Sequence, residues 1–537
     1  MVIRPEDRPE SVYAPIAEGA SLLDTFSDGV MTPFIKKHAQ SLDGVLSCYD
    51  RVILSGTLQP ICYAKGMTSY LYREGVRIFD YPTLFAQPLR DALRDNAESI
   101  AQANGLKIGF IRKSPKSLRK ESLVQAILSE RGDEPGLVAI FSTMETCTAY
   151  KPWHDKTSHK TYLIATKSKC LHYYFYFIDE SFGLCYIRVP TWAPFRLQVY
   201  FNGHHWLARR LEKAGIPFAM ADNAFLSIAD PTRAQTLAEQ LDAKQLHRRL
   251  NRWANQFCPV AQRFRSGYHW SLMQVEFATD VVFHQQGEFQ PLYESIIRTA
   301  VQAIKADNVA TFLGRKLTTT YQGEVGNDFS TRIQGTRIRH QMGPASIKLY
   351  DKAGIMARVE CTTNDASFFK IHRWVEQRDG WSQWKLAPLR KNIYSLRDLR
   401  KLMNAANERY LAYMAAIDNP NAGLKDIDKM SSPAKDQGRS FRGFNLFQKK
   451  DYRLFLTIGR GEWSINGFRA ADLRASMPDL SPSQSSYLLK RLRTHGLIKK
   501  VGRCYKYYLT KFGRRVLAAS LKIREYFVLP ALCADTT

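Results

Sequence analysis

The alternation of apolar and polar positions divides the chain into stretches of different period. Near the start, DGVLSCYDRVILSGTL (43–58) is apolar at most positions, and its VLSCYDRVILSG part predicts a mostly buried strand stopped by Gly56. From Pro82 onward, TLFAQPLRDALRDNAESIAQANG repeats its apolar residues at helical spacing and predicts a helix ending at Gly105. A short strand at LKIGFI, a basic loop IRKSPKSLRKES, a helix through LVQAILSERG and a strand at LVAIFST (137–143) follow. This strand, helix, strand succession predicts an α/β region over 1–150.

In 151–330 the pattern becomes extended and then helical. HKTYLIATK leads into LHYYFYFIDESFGLCYIRVP, where Leu171–Ile178 and Gly183–Val189 flank the turn DESFG and predict a hairpin. Its YYFYF aromatics are expected to be buried in a sheet rather than to form a base-stacking platform. Phe195–Phe201 predicts another strand, and HHWLARRLEKAGIPF an amphipathic helix ending at Gly215. Residues 230–320 read as largely helical, from DPTRAQTLAEQLDAKQLHRRLNRWANQF through PLYESIIRTAVQAIKA.

A second hairpin is predicted in 331–418, running from TRIQGTRIRHQMGPASIKLYDK into GIMARVECTTND around the turn YDKAG. Period two places Lys348 and Tyr350 on one face and Leu349 on the other, while Arg358 and Glu360 share a face. Lys348 or Arg358 can then close onto Glu360 as a cross-strand ion pair. SLRDLRKLMNAANERYLAYMAAI (395–417) predicts an amphipathic helix, and the Pro, Gly, Ser, Lys and Asp of 419–444 an exposed linker to the last segment, 445–537.

At 537 residues the chain is long enough for several domains, since single cores stop growing near roughly 250–300 residues. With 45% apolar and 12% aromatic residues, global disorder is excluded. No run approaches the ~18 apolar residues of a membrane span, and MVIRPEDRPESVYAP lacks the order of a secretory signal, so a cytoplasmic protein with no membrane partner is expected. Its nine cysteines are odd in number, widely spaced and without C-x-x-C, which fits a reducing compartment and argues against a zinc ribbon. The net charge of +27 is uneven: residues 451–537 hold 16 Lys or Arg against 6 Asp or Glu, or +10, leaving +17 for the first 450. A concentrated basic field points to a polyanionic partner, DNA first and RNA second.

Within that segment, NGFRAADLRASM predicts a helix from about Asn466 to Met477, with Asn466 as its cap and Pro478 as its stop. SPSQSSYLLKRLRTHG starts a second helix at Ser481, with Pro482 in its first turn, and ends at Gly496. Tyr487, Leu488, Leu492 and Leu489 supply its apolar side; Ser483, Gln484, Lys490, Arg491, Arg493 and Thr494 are available outward. Two strands in LIKKVGRCYKYYLT around Gly502 and Arg503 follow, and then a closing helix with Val516, Leu517 and Leu521 on its apolar face. LLKRLRTHGLIKKVGRCYKYYLTKFGRRVL resembles the recognition helix, wing and closing helix of bacterial winged-helix regulators of the MarR or ArsR type. The resemblance implies groove-reading residues Ser483, Gln484, Ser485 and Lys490, with Lys500, Arg503 and Lys506 on the wing. The neighbouring cations Arg491, Arg493 and Lys499 complete the nucleic-acid-binding set.

SIKLYDKAGIMARVECTTN loosely resembles a hairpin of rolling-circle replication initiators, which implies Tyr350 as nucleophile, Glu360 as a ligand for Mg or Mn, and Lys348 or Arg358 as a phosphate clamp. The adjacent His204 and His205 do not give the alternating histidines of that class; they read as residues that cap or pack at a strand-to-helix junction. Asp50 with Arg51 reads as a buried pair. No GxxxxGK[ST], GxSxG or HExxH occurs. The fold expected is an α+β or mixed α/β multidomain body with a C-terminal winged helix-turn-helix domain. The function expected is nucleic-acid binding, with a replication-initiator or nuclease-like enzyme and a noncatalytic protein-interaction scaffold as the alternatives. No cofactor is implied outside the nuclease alternative.

Overall fold

The computed structural model describes residues 32–112, 120–264, 266–317, 321, 323–332, 335–417, 420–445, 447–460, 463, 467–501 and 505–523. The chain divides into two compact units, Met1–Ile417 and Asp418–Thr537.

The first unit is a mixed α/β structure built on one eleven-stranded sheet. In chain order its strands are β1 (Leu42–Leu58), β2 (Ile108–Phe110), β3 (Gly136–Asp155), β4 (Lys160–Asp179), β5 (Gly183–Pro190), β6 (Leu197–Asn202), β9 (Tyr268–Phe283), β10 (Val325–Arg332), β11 (Gly335–Met342), β12 (Ala345–Lys352) and β13 (Met356–Thr363). Two small hairpins lie outside it, β7 (Phe218–Ala221) with β8 (Ala224–Ile228), and β14 (Lys370–Glu376) with β15 (Ser382–Pro388). Across the sheet the order is β10-β11-β12-β13-β9-β1-β6-β5-β4-β3-β2, and only β2 and β3 run parallel.

Period two sorts the side chains between two layers. Phe175, Phe177, Val199, Phe277 and Val359 join the main core, with Leu93 of the Gln87–Ala103 helix, Trp253 and Phe257 of the Ala243–Phe257 helix, and Met403 and Tyr410 of the Leu396–Ile417 helix. Ring contacts of 4.7 Å between Phe175 and Phe257 and 5.1 Å between Phe177 and Trp253 lock helix to sheet. Tyr174, Tyr176 and Tyr186 point the other way, into a smaller cluster with Phe141 and Val124. Both sides of YYFYF are therefore buried, each large side chain contributing about 1.5–3 kcal/mol.

The sheet corrects several expectations. Because β1 pairs with β6 and β9, and β13 with β9, the stretches 1–150, 151–330 and 331–418 share one sheet. Gly56 does not stop β1, which continues to Leu58. The largest departure is β9, a 16-residue central strand inside the stretch expected to be helical. Ala278–Phe283 is buried at every position, so a strand covered on both faces shows no alternation and is masked by helices on either side.

The second unit contains helices Pro420–Ser431, Lys449–Ile458, Ala470–Ser476, Pro482–Thr494 and Lys511–Ile523, with hairpins β16 (Ala434–Asp436) to β17 (Arg439–Phe441) and β18 (Ile498–Val501) to β19 (Lys506–Leu509). Leu454, Phe455, Leu473, Leu492, Leu497 and Leu517 form its separate core. The expected linker 419–444 is instead structural: it forms a helix and a hairpin and buries Met430 and Phe444 in this core. The helix expected from Asn466 begins at Ala470, and Asn466 lies outside the described residues. The Pro482–Thr494 helix starts where expected, and Ser481 caps it in a capping box closed by Gln484. Among the described residues no helix is long and apolar enough to cross a membrane.

Candidate functional site

A chain of ionisable side chains crosses the middle of the sheet. The register between β1 and β9 slips between Tyr49↔Phe277 and Val52↔Val275, so Asp50 and Arg51 stand against the single residue Glu276. Such a bulge re-aims a side chain, and here Asp50 becomes the hub of a buried network. Its Oδ1 accepts from Asn202 Nδ2 at 2.7 Å and Asn223 Nδ2 at 2.6 Å, and its Oδ2 lies 3.4 Å from Arg358 Nη1. Arg358 donates to Asp280 through Nε and Nη2, both at 2.6 Å, and to the Asn223 carbonyl at 2.7 Å. The expected Asp50–Arg51 pair does not form: Arg51 is exposed and stacks toward Tyr200, while Asp50 turns inward.

His204 closes the network. Asn202 ends β6 and caps the Gly203–Lys213 helix, its Oδ1 accepting from His204 N at 2.8 Å and His205 N at 3.3 Å. Gly203 is required there, because a Cβ would stand 2.1 Å from the Tyr49 carbonyl oxygen. The imidazole lies 3.4 Å from both Asp50 and Asp280. Burial opposes the imidazolium, but the Cys48 sulfur and the two carboxylates outweigh it and hold the pKa well above the usual histidine range. For Asp280 and Asp50 burial likewise opposes ionisation, and Arg358 and His204 overcome it to hold both carboxyls low. The Asp50 and Asp280 carboxylates thus face the Arg358 guanidinium and the His204 imidazole, whose Nε2 lies 3.2 Å from Arg358 Nη2. His204 does more than cap or pack, whereas His205 stays beside it at the helix start with its pKa lowered by burial.

Next to this quartet, Asp50, Glu276 and Glu360 each offer an oxygen within 4.8 Å of the others. Lys348 stands opposite Glu360 in the β12–β13 register, pairs with it closely, and lies 3.6 Å from Glu276. The expected Lys348–Glu360 pair therefore forms, whereas Arg358 closes onto Asp280 and Asp50 instead of Glu360. Tyr350 is buried and donates its phenol proton to Glu360 Oε2 at 2.8 Å. Burial and the Glu360 charge raise its pKa well above the usual tyrosine range, which keeps the phenol neutral. Burial and the Glu360 charge also push Glu276 up to about 7. Three carboxylates from neighbouring strands form a donor set that suits a hard divalent ion, with Lys348 supplying an ammonium in the same place. Arg358 lies fully inside the ion network, which removes it from the role of phosphate clamp.

A cleft of about 530 Å³ opens elsewhere on this unit between the Gly203–Lys213 and Ala243–Phe257 helices, lined by Arg209, Arg210, Lys213, Arg248, Arg249 and Arg252. Arg209 and Arg249 pair with Asp133 and Asp179, while Lys213, Arg248 and Arg252 make no ion pair among the described residues.

In the second unit the predicted nucleic-acid residues separate into two groups. Ser483, Gln484, Arg493, Lys499 and Lys500 are exposed, and Lys490 and Lys506 are half-buried. Gln484 uses its side-chain oxygen to accept from Ser481 N at 3.0 Å. Three expectations are corrected. Ser485 is fully buried and donates to the Pro482 carbonyl at 2.9 Å. Arg491 is 1% exposed, holds Asp451 at 2.8 and 2.9 Å and donates to the Arg442 and Gly443 carbonyls, so it is a core residue. Tyr487, expected on the apolar side, is exposed against Phe441, and Ser486 is exposed beside it. Arg503 lies outside the described residues. A groove of about 540 Å³ runs between the Pro482–Thr494 helix and the β18–β19 hairpin, lined by Arg469, Ser486, Lys490, Arg493, Tyr505 and Tyr507.

Sequence reasoning missed Glu276 and Asp280, because both lie on the strand read as helix, and it missed the partners of Asp50 and His204, which come from distant segments. Comparison with protein-family models, curated proteins and solved structures finds no match to this chain.

Proposed function

We propose that the chain binds nucleic acid, duplex DNA in the first place, through the Asp418–Thr537 unit acting as a winged helix-turn-helix. The observation that carries this reading is the groove beside the Pro482–Thr494 helix, where outward Ser483, Ser486 and Arg493 lie on the helix and Lys490 and Arg469 line the groove. Early helix residues in such a unit face base edges and later cations face phosphates, while Lys499 and Lys500 of the hairpin add backbone contacts. The basic cleft of the first unit and the net charge of +27 support a polyanionic partner.

The test is a salt titration of the full chain on duplex DNA, single-stranded DNA and RNA. Binding to duplex should fall steeply with salt, and Lys499→Ala with Lys500→Ala should reduce the log–log slope by about 2, near 0.9 per lost phosphate contact. Failure to bind any of the three at low salt, or an unchanged slope in the variant, refutes the reading.

A second reading is favoured by the convergence of Asp50, Glu276 and Glu360: a Mg- or Mn-dependent nuclease, with these carboxylates as the ion's ligands. An ion there would supply Lewis-acid activation of a phosphodiester. Lys348 would hold the charge balance or turn toward phosphate, and Tyr350 is the candidate nucleophile only if its proton passes to Glu360. Strand cleavage by the full chain with Mn ions, lost in Glu360→Ala and in Tyr350→Phe, supports it; no cleavage by the wild-type chain removes it.

A further inference from the structure

The β14–β15 hairpin is not part of the main sheet, and its more exposed face sets large apolar side chains beside Lys370, Glu376 and Ser382. Trp374 pairs directly with Trp384 and His372 with Leu386. Trp374 is 62% exposed, Trp384 55%, Leu386 54%, and Trp381 at the turn 77%. The base of the hairpin is firmly held: Phe369, Ala387 and Leu389 are buried, and Leu389 N donates to the Phe369 carbonyl at 2.8 Å. Exposure of three indoles on an anchored ribbon therefore belongs to the surface the ribbon presents, and such an apolar face marks a binding site.

The charge around these rings selects the occupant. Residues 370–388 carry Lys370, Arg373, Arg378 and Lys385 against Glu376 and Asp379. Lys370, on the same face as Trp374, and Arg378 at the tip make no ion pair among the described residues, whereas Arg373 and Lys385 oppose each other on the other face, Arg373 donating to the Pro388 and Trp374 carbonyls. Trp374 and Trp384 meet at 64° with centroids 5.7 Å apart, so neither ring covers the other's face. Open indole faces beside uncompensated cations match the two parts of an unpaired nucleotide strand, π-faced bases and a phosphate chain. A membrane surface fits less well, because the tip of the ribbon holds Arg378 and Asp379 as well as Trp381.

We infer that the β14–β15 hairpin is a single-strand-binding surface on which Trp374, Trp384 and Trp381 stack unpaired bases while Lys370 and Arg378 face the phosphates. It shares with the proposed function only the chemistry of the partner, and it lies in the other unit. The test measures anisotropy of a labelled oligothymidylate and of a labelled duplex with the full chain. Trp374→Ala/Trp384→Ala should weaken oligothymidylate binding by about tenfold or more and leave duplex affinity unchanged, whereas Trp374→Phe/Trp384→Phe should retain most of it. Lys499→Ala/Lys500→Ala should do the reverse, weakening duplex more than single strand, which separates the two sites. Absence of oligothymidylate binding by the wild-type chain overturns this inference while leaving duplex binding to decide the other. So does unchanged single-strand affinity in the alanine double variant, or an equal loss on both probes. Loss confined to sedimentation with phosphatidylserine vesicles overturns it in favour of a lipid occupant.

Discussion

Arg358 grips Asp280 through two hydrogen bonds of 2.6 Å, and both side chains are removed from solvent. A bidentate guanidinium–carboxylate pair of this kind is worth little over a well-packed apolar replacement but costs heavily when half of it is removed. Its position at the junction of β9 and β13, with Asp50 and His204 against the same guanidinium, ties four distant parts of the chain to one ion network.

Arg358→Ala should therefore destabilise the first unit by about 3–5 kcal/mol, since Asp280 would be left buried without its fork. Arg358→Lys should recover only part of this, because an ammonium cannot occupy both oxygens in the same geometry. Chemical denaturation followed by circular dichroism checks both, and near-wild-type stability of the alanine variant would contradict the network.

In the second unit, Arg491 and Arg493 differ by two positions and in everything else that matters. Arg491→Ala should cost about 3–5 kcal/mol by stranding Asp451, whereas the exposed Arg493→Ala should change stability by no more than about 0.5 kcal/mol. Thermal melting reads the first effect. Nucleic-acid affinity at a temperature where both variants are folded reads whether Arg493 is a contact.

Glu276, with its pKa pushed up to about 7 by burial and by Glu360, gives a pH signature. Its folded pKa lies above the unfolded value of about 4.3, so the stability it contributes is fully present below that value and is lost as pH rises through 7. Glu276→Gln should melt like wild type near pH 4.5 and be more stable at pH 8, by on the order of 3–4 kcal/mol. Melts of both proteins in the presence of a chelator across this range decide it; a variant-minus-wild-type difference that does not grow as pH rises would refute the placement.

Tyr350→Phe removes the hydroxyl whose proton Glu360 accepts. The expected cost is about 1.5–3 kcal/mol, the range for a hydrogen bond to a charged group, measurable by equilibrium unfolding.

The local features carried much of the fold. The turn DESFG between Leu171–Ile178 and Gly183–Val189, the helix start at Ser481 and the facing of Lys348 toward Glu360 all follow from residues within reach of one another along the chain. Period and punctuation are short-range properties, so they can be read without the fold. Composition likewise located the excess charge in 451–537.

What these rules could not supply was partnership between segments. Asp50 meets Arg358 across 308 residues and His204 meets Asp280 because β1, β9 and β13 lie side by side, an arrangement set by burial of whole faces rather than by any local motif. The same applies to Arg491, outward by its sequence neighbours and buried by Asp451, and to β9, whose two covered faces erased the alternation that marks a strand. Sequence determined the elements, the turns and the sign of the charge. Tertiary structure decided which charges are neutralised inside and which remain at the surface, because desolvation and pairing depend on neighbours that only the folded chain brings together.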